Sequence, residues 1–199
     1  MRRLVNKLKI WSGKALRLVL RQFFHFDQWH VFTLAERKYA QDIIRFCNNK
    51  ITRQSFVEIG CGLGDIIRNV RYQSKFGYDM DQQALKAASF LDKFSAKGRT
   101  VFSPFEFPAS YLPGTHDVIV MVNWIHHIPP TILKSKIQEY ISRSLNENGM
   151  IIIDTVQDKE YKFNHDIKFL AGDEPGVAFT KLGDYERMRQ IWILQKESI

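Results

Sequence analysis

The spacing of hydrophobic and polar positions changes along the chain. Over residues 1–26, Leu4, Leu8, Trp11, Ala15, Val19 and Phe23 recur every three or four residues, while Arg3, Lys7, Lys14, Arg17 and Arg21 fall on the other side at 100° per residue. This spacing predicts a basic amphipathic helix. The stretch Phe26-Asp27-Gln28-Trp29-His30-Val31-Phe32 is aromatic and has no helical period. Residues 35–46 regain it through Tyr39, Ile43, Ile44 and Phe46. From there strands and helices alternate. Strands are expected at 55–59, 75–78, 99–102, 117–122 and 150–154. Helices are expected at 65–72, at 82–94 with Leu85, Ala88 and Leu91 on one face, and at 132–145, with Gly149 as the stop of the last.

Val118-Ile119-Val120-Met121-Val122 and Met150-Ile151-Ile152-Ile153 are apolar throughout rather than alternating. A strand of that kind is buried on both faces, as in a parallel sheet between two layers of helices. The tail differs: residues 176–181 and 190–196 are strand-like with Gly183-Asp184 between them, which reads as a hairpin-like pair added to the sheet. The expected fold is α/β, a three-layer, Rossmann-like, seven-stranded and mostly parallel sheet with an antiparallel last strand, preceded by N-terminal helices. No repeat or low-complexity linker interrupts it. Residues 1–50 form an N-terminal extension or lid, and residues 51–199 a single domain.

One junction carries more chemical information than the rest. Phe56-Val57-Glu58-Ile59 is an apolar run closing on an acid, and Gly60-Cys61-Gly62-Leu63-Gly64 follows at once. A strand, a glycine loop and a helix-like segment let main chain approach a nucleotide-like ligand closely. A second acid, Asp79, ends the next strand 17 to 19 residues on, suited to accept from both hydroxyls of a ribose. The spacing is G-x-G-x-G rather than the G-x-G-x-x-G of dinucleotide folds, and no Gly-Lys-Ser/Thr is present. A pyrophosphate is therefore not implied. A nucleoside with a small zwitterionic 5′ substituent fits the loop.

Acid-x-Gly-x-Gly-x-Gly is the first motif of the class I S-adenosylmethionine methyltransferases, and residues 58–64 resemble it without a gap. Asp117-Val118-Ile119-Val120-Met121-Val122-Asn123-Trp124-Ile125-His126-His127-Ile128-Pro129 resembles that family's fourth motif, and Leu145-Asn146-Glu147-Asn148-Gly149-Met150 its turn into strand five. The resemblance covers residues 55–156. It thins over the first 50 residues and over 157–189.

The resemblance implies S-adenosyl-L-methionine as cofactor and a set of residue roles. Gly60, Cys61, Gly62 and Gly64 approach the amino-acid and ribose portions. Glu58 anchors the loop and, through water, the methionine ammonium. Asp79 takes the ribose, Met80 packs on adenine, and Asn123 and Trp124 line the mouth for methyl transfer. Family members often place an Asp after strand three for adenine. Here Ser103-Pro104-Phe105-Glu106 stands instead, leaving Ser103 or Glu106 for that contact. His126 and His127 are the candidate general bases, set against a packing role for either. His165 and Asp166 are weaker candidates for substrate contact. Trp29, His30, Arg37 and Tyr39 are lid candidates, with ordinary packing the competing reading for Trp29 and Tyr39. No metal site is expected.

The implied activity is methyl transfer to a small molecule, a lipid-linked intermediate or a glycan. The alternatives are an RNA methyltransferase and a non-catalytic, methyltransferase-like binding protein. All of this requires Gly62 and Asp79 to be neighbours, with their shared crevice free of the protein's own atoms.

Charge bears on the partners. The net charge is +8, yet residues 1–50 hold 11 Lys/Arg against 3 Asp/Glu, and residues 51–199 hold 18 of each. The excess thus sits ahead of the glycine loop. It speaks against nucleic acid as partner of the core, which also lacks the Asn/Asp-Pro-Pro-aromatic signature of base N-methylation. For residues 1–26 three readings stand: a helix packed on the core or on a second subunit with its charge to water, attachment to an anionic membrane surface, or a nucleic-acid arm. Cations interrupt any signal-peptide core, and no run of 18 apolar residues occurs. With only Cys47 and Cys61, in no metal-like spacing, a reducing cytoplasmic setting is expected, with membrane association left open along with oligomeric state.

Overall fold

The structure is a computed structural model that describes the backbone of residues 2–172 and 176–197 and side chains from residue 10 onward. Its centre is a seven-stranded sheet in the order β3-β2-β1-β4-β5-β7-β6. The strands are β1 (Ser55–Ile59), β2 (Ser74–Asp79), β3 (Val101–Pro104), β4 (His116–Met121), β5 (Leu145–Thr155), β6 (Val177–Tyr185) and β7 (Arg189–Lys196). β1 to β5 pair in parallel, and β7 lies antiparallel between β5 and β6. This is the expected α/β architecture.

The central strands are buried on both faces, as their unbroken apolar runs require. Val57, Ile59, Ile119, Met121, Ile151 and Ile153 point into one core with Leu133, Ile137 and Tyr140 of α4 (Pro130–Arg143) and Leu170 of α5 (Ile167–Ala171). Phe56, Val118, Val120 and Ile152, the alternate positions, enter the other core with Tyr39, Ala40, Ile43 and Cys47 of α2 (Lys38–Asn48). α3 (Gln82–Asp92) starts at Asp81, whose carboxylate accepts from the N–H groups of Gln83 and Ala84 at 2.8 and 3.1 Å.

Three expectations need correction. Residues 65–72 form no α-helix; Gly62–Ile66 is a run of turns followed by a 3-10 turn at Ile67–Asn69. Asn69 and Asp65 are bonded to each other, and Asp65 is tied to three arginines, so the segment is held by side chains rather than by helical repeat. Gly149 does not stop a helix. α4 has already ended at Arg143, and Gly149 lies within β5, where a Cβ would stand 2.8 Å from Asn146 O and 3.0 Å from His116 O. Residues 35–46 begin as a 3-10 turn at Leu34–Glu36, closed by a Thr33–Glu36 capping box, before α2 starts.

The N-terminal helix α1 (Arg2–Phe24) forms as expected and packs on the core by the side that carries Arg17 and Leu20. Arg17 and Leu20 are buried, and Leu20 joins Phe26, Leu63, Ala84 and Ala87 in a small third core. Gly13 faces Thr33, and Phe24 meets Phe90 of α3 at 5.9 Å between rings. Trp11, Val19 and Phe23, of the apolar stripe read from the sequence, are 77%, 54% and 75% exposed, which core packing, one of the three readings, does not explain. Leu4, Leu8, Arg3 and Lys7 have side chains outside the described residues. The cause is Arg17. Its guanidinium reaches Asp65 at 2.6 Å and the carbonyls of His30 and Phe32, and a buried charge with a buried partner fixes the helix's rotation.

Candidate active site

All parallel strands end on one edge of the sheet, and the strand order reverses between β1 and β4. Ligands of open α/β sheets bind at such a point. The glycine loop leaves β1 there, and residues 122–128 leave β4 beside it.

The loop is shaped by main chain. Gly60, Gly62 and Gly64 have φ of +74°, +52° and +71°, in the left-handed region where a Cβ is strained. Gly60 N and Cys61 N donate to Tyr78 O at 2.7 and 2.9 Å, which locks the loop onto β2. Gly62 N donates to Asp79 Oδ2 at 2.7 Å, and Asp79 Oδ1 accepts from Asp81 N at 2.9 Å. The first geometric requirement of the sequence is therefore met. Each carboxylate oxygen of Asp79 keeps a second lone pair for an incoming hydroxyl. Met80, beside it, is 79% exposed and presents its thioether to whatever enters.

Glu58 is buried beneath the loop and accepts from Ile67 N at 2.9 Å. Burial pushes its carboxyl up to about 8, so it is held mostly neutral at pH 7. Cys61 is a packing residue: its sulfur lies against Gly77, and burial raises its thiol well above the ordinary value. Ser103 sits in β3 opposite Tyr78 and is half-buried. Glu106 exchanges bonds with Ser110, at 2.9 Å from Glu106 N to Ser110 Oγ and 2.7 Å from Ser110 N to Glu106 O.

Two side chains rest on the glycines. The indole of Trp124 lies directly over Gly60 and donates to Ile59 O at 2.7 Å. The imidazole of His30 lies over Gly62, where a Cβ would stand 2.6 Å from Nδ1. The second requirement of the sequence, a crevice clear of the protein's own atoms, is therefore not met in this conformation: access to the loop requires both rings to swing aside. His30 comes from the 3-10 turn Gln28–Val31, which brings that one ring over the loop. Of the lid candidates, Trp29 is 75% exposed, Tyr39 belongs to the core under β1, and Arg37 turns inward.

Arg37 ends in a group that sequence reasoning missed. Arg17, Arg37 and Arg68 all bind the single buried carboxylate of Asp65, immediately after the glycine loop. Burial opposes ionisation there, but Arg37, Arg17 and Arg68 outweigh it and hold Asp65 below its ordinary value. One anion balances three cations, and Arg37 Nε is buried without a partner. The spot is short of negative charge.

The loop after β4 is built differently. Asn123, exposed and at φ +75°, is pinned by its N–H to Asp154 Oδ1 at 3.0 Å and by Arg189, whose guanidinium donates to Asn123 Oδ1 at 3.0 Å. Asp154 is completely buried and pairs with Arg189 and with His126 Nε2, the latter at 3.2 Å. His126 is itself completely buried, its ring 4.5 Å from that of Tyr161. Burial, aided by the Arg189 charge, lowers His126 to about 4. Asp154 does not reverse this, since Arg189 already shares its charge. A neutral His126 donates from Nε2 to Asp154 and leaves Nδ1, which has no protein partner, as an acceptor. His127 is exposed. His165 is buried with Nε2 at 2.9 Å from Ile125 O, and Asp166 caps α5, so both serve local structure. Asp117 likewise holds the far end of β4, accepting from Gln54 N at 2.7 Å and Asn146 Nδ2 at 2.8 Å. Arg189 and Asp154 gave no sequence signal, because 35 and 66 residues of chain separate the members they join.

Against solved structures the fold is that of methyltransferases. A magnesium protoporphyrin IX methyltransferase from Synechocystis, with bound SAM, superposes with TM-score 0.67 at 12% identity over 96% of this chain and 97% of that one. The N-methyltransferase NodS from Bradyrhizobium japonicum, in complex with S-adenosyl-L-homocysteine, gives 0.69 at 13% identity over 92% and 98%. An O-methyltransferase family protein from Burkholderia thailandensis gives 0.58 at 12%, over 82% and 57%. No family model and no curated protein matches the sequence. Identity this low shows the fold alone.

Proposed function

We propose that the chain is an S-adenosylmethionine-dependent methyltransferase with a small-molecule, lipid-linked or glycan acceptor. The observation that carries this is the direct bond of Gly62 N to Asp79 at the point of strand-order reversal, within a loop of three left-handed glycines. A Cβ-free loop beside a carboxylate with spare lone pairs fits a nucleoside better than any other ligand class. Asp79 accepts from the ribose hydroxyls, Met80 covers adenine, and Ser103 lies on the neighbouring strand for its edge. Arg37, with its unpartnered Nε beside the glycine loop, takes the methionine carboxylate. Glu58 lies under the loop on the ammonium side.

The cofactor supplies an activated methyl group on a sulfonium, so the protein's task is alignment and exclusion of water. Asn123 fixes the exit of β4, and residues 28–37 act as the lid. His127, exposed on the same loop, receives the acceptor's proton; buried His126 orients the loop through Asp154.

Titration with S-adenosylhomocysteine tests this. Binding is expected, weakened about tenfold in Arg37→Ala. Absence of heat at about 1 mM ligand, in both the wild type and Trp124→Ala, overturns the reading. The second variant is needed because one observation favours a non-binding methyltransferase-like domain: Trp124 and His30 lie on the glycines. If the indole is a displaceable cover, Trp124→Ala binds at least as tightly as wild type.

A further inference from the structure

The apolar face of α1 that the sequence periodicity picked out is turned to solvent. Trp11, Leu16, Leu18, Val19 and Phe23 are each between 50% and 77% exposed. At 100° per residue they share one arc of about 160°, opposite the buried Arg17 and Leu20 and the half-buried Phe24. A lone exposed apolar side chain is ordinary, but a continuous stripe holding Trp and Phe along one helix marks a docking surface. The buried Arg17–Asp65 pair, with Leu20 and Phe24 packed beside it, sets this rotation.

The charge of the same helix identifies the occupant. Seven cations and no acid occur in residues 1–26. Arg17 and Lys14 are matched within the body by Asp65 and Glu36. Arg2, Arg3, Lys7, Lys9 and Arg21 add five more on the same 23-residue helix, with no acid among them. A second copy of this chain would bring like charge against like charge. A nucleic acid would meet bulky apolar groups in the middle of the stripe. A bilayer surface with anionic headgroups satisfies both parts, cations at the headgroups and Trp11, Val19 and Phe23 below them.

We infer that the outer face of α1 docks the protein onto an anionic lipid surface, the helix lying flat in the headgroup region. The inference goes beyond methyl transfer and does not depend on it.

The test is sedimentation of the full chain with phosphatidylcholine vesicles containing about 30% phosphatidylglycerol, in about 50 mM and about 500 mM salt, against pure phosphatidylcholine. Partition onto the anionic vesicles at low salt is expected, with loss at high salt and on neutral vesicles. The triple variant Trp11→Ser/Val19→Ser/Phe23→Ser should lower the partition coefficient about tenfold or more with unchanged circular dichroism and melting temperature, since none of the three is buried. Equal binding of variant and wild type, equal binding to neutral vesicles, or no binding at all overturns it. So does a dimer in light scattering that the triple variant converts to monomer, which would assign the face to a second copy. Truncation at residue 27 is a poorer probe, because it also removes Arg17 and Leu20 from the interior.

Discussion

The loops after β1 and β4 stand side by side at the same sheet edge and are held by opposite means. The first is mainly a main-chain object: glycines at positive φ, N–H groups on Tyr78 O, and two side chains, Asp79 and Arg68, gripping the backbone. The second is a side-chain object, in which Asp154, Arg189 and His126 form a buried polar cluster that pins a non-glycine residue, Asn123, in the left-handed region. A main-chain loop tolerates little substitution within it and depends little on distant residues. A side-chain loop is the reverse: its sequence is freer, but it rests on partners far along the chain.

The sharpest way to break this contrast is Asp154→Ala. It strips the counter-charge from a buried arginine and leaves Asn123 N–H and His126 without their acceptor. A loss of about 3–5 kcal/mol in unfolding free energy is expected by denaturant titration. Asp154→Leu with Arg189→Met should recover the part that comes from the unpaired arginine, because no buried charge then remains to need a partner. If the single variant cost less than about 1 kcal/mol, the cluster would not be what holds the loop.

Sequence reading reached these two loops unequally for the same reason. The glycines and the acids around the first lie within residues 58–64 plus the end of the next strand, so local spacing exposed Glu58, the three glycines and Asp79 together, but not His30, Arg68 or Trp124. The sheet was legible because unbroken apolar runs at β4 and β5 have few other uses. Asp154 stood in a strand that looked merely apolar, and Arg189 in a tail hairpin. Only the fold brings β7 alongside β5 and so the two together. The rotation of α1 stayed open for a related reason. Periodicity reports where apolar groups are, not whether they face the core or the solvent. Here Arg17 found Asp65, 48 residues away, and the pair decided the orientation.

Gly62→Ala is the next test, and it comes with a built-in control. Gly62 and Gly98 both have positive φ, +52° and +81°, but a Cβ at Gly98 meets nothing within 4 Å while one at Gly62 stands 2.6 Å from His30 Nδ1. Gly98→Ala should cost about 1–2 kcal/mol, the backbone contribution alone, and leave S-adenosylhomocysteine binding intact. Gly62→Ala should cost a similar amount in stability, since His30 sits on a lid that can yield, but should abolish binding because the ligand needs that approach. Retained affinity in Gly62→Ala would mean that the loop is not the binding surface.

The smallest effect distinguishes the loops by pH. Glu58, under the first, has its pKa raised to about 8 by burial, so the folded state binds its proton more tightly than the unfolded chain does. Its contribution to stability is complete below about 4.5 and fades as pH rises towards 8. His126, under the second, is lowered to about 4 and is held neutral by the fold. Its contribution is complete above about 6.5 and fades as pH falls towards 4. Between about 4.5 and 6.5 the two slopes oppose each other and stability from this pair is nearly flat. Above 6.5 Glu58 acts alone, and stability should fall by at most about 1.4 kcal/mol per pH unit up to 8. Glu58→Gln keeps an acceptor for Ile67 N and removes the titration. Its denaturation profile should therefore level off above pH 6.5 and acquire a rising slope between 4 and 6.5, from His126 together with His30, His116 and His165, which burial also lowers. A variant profile parallel to wild type across that whole range would show that neither buried group titrates as the geometry of its loop requires.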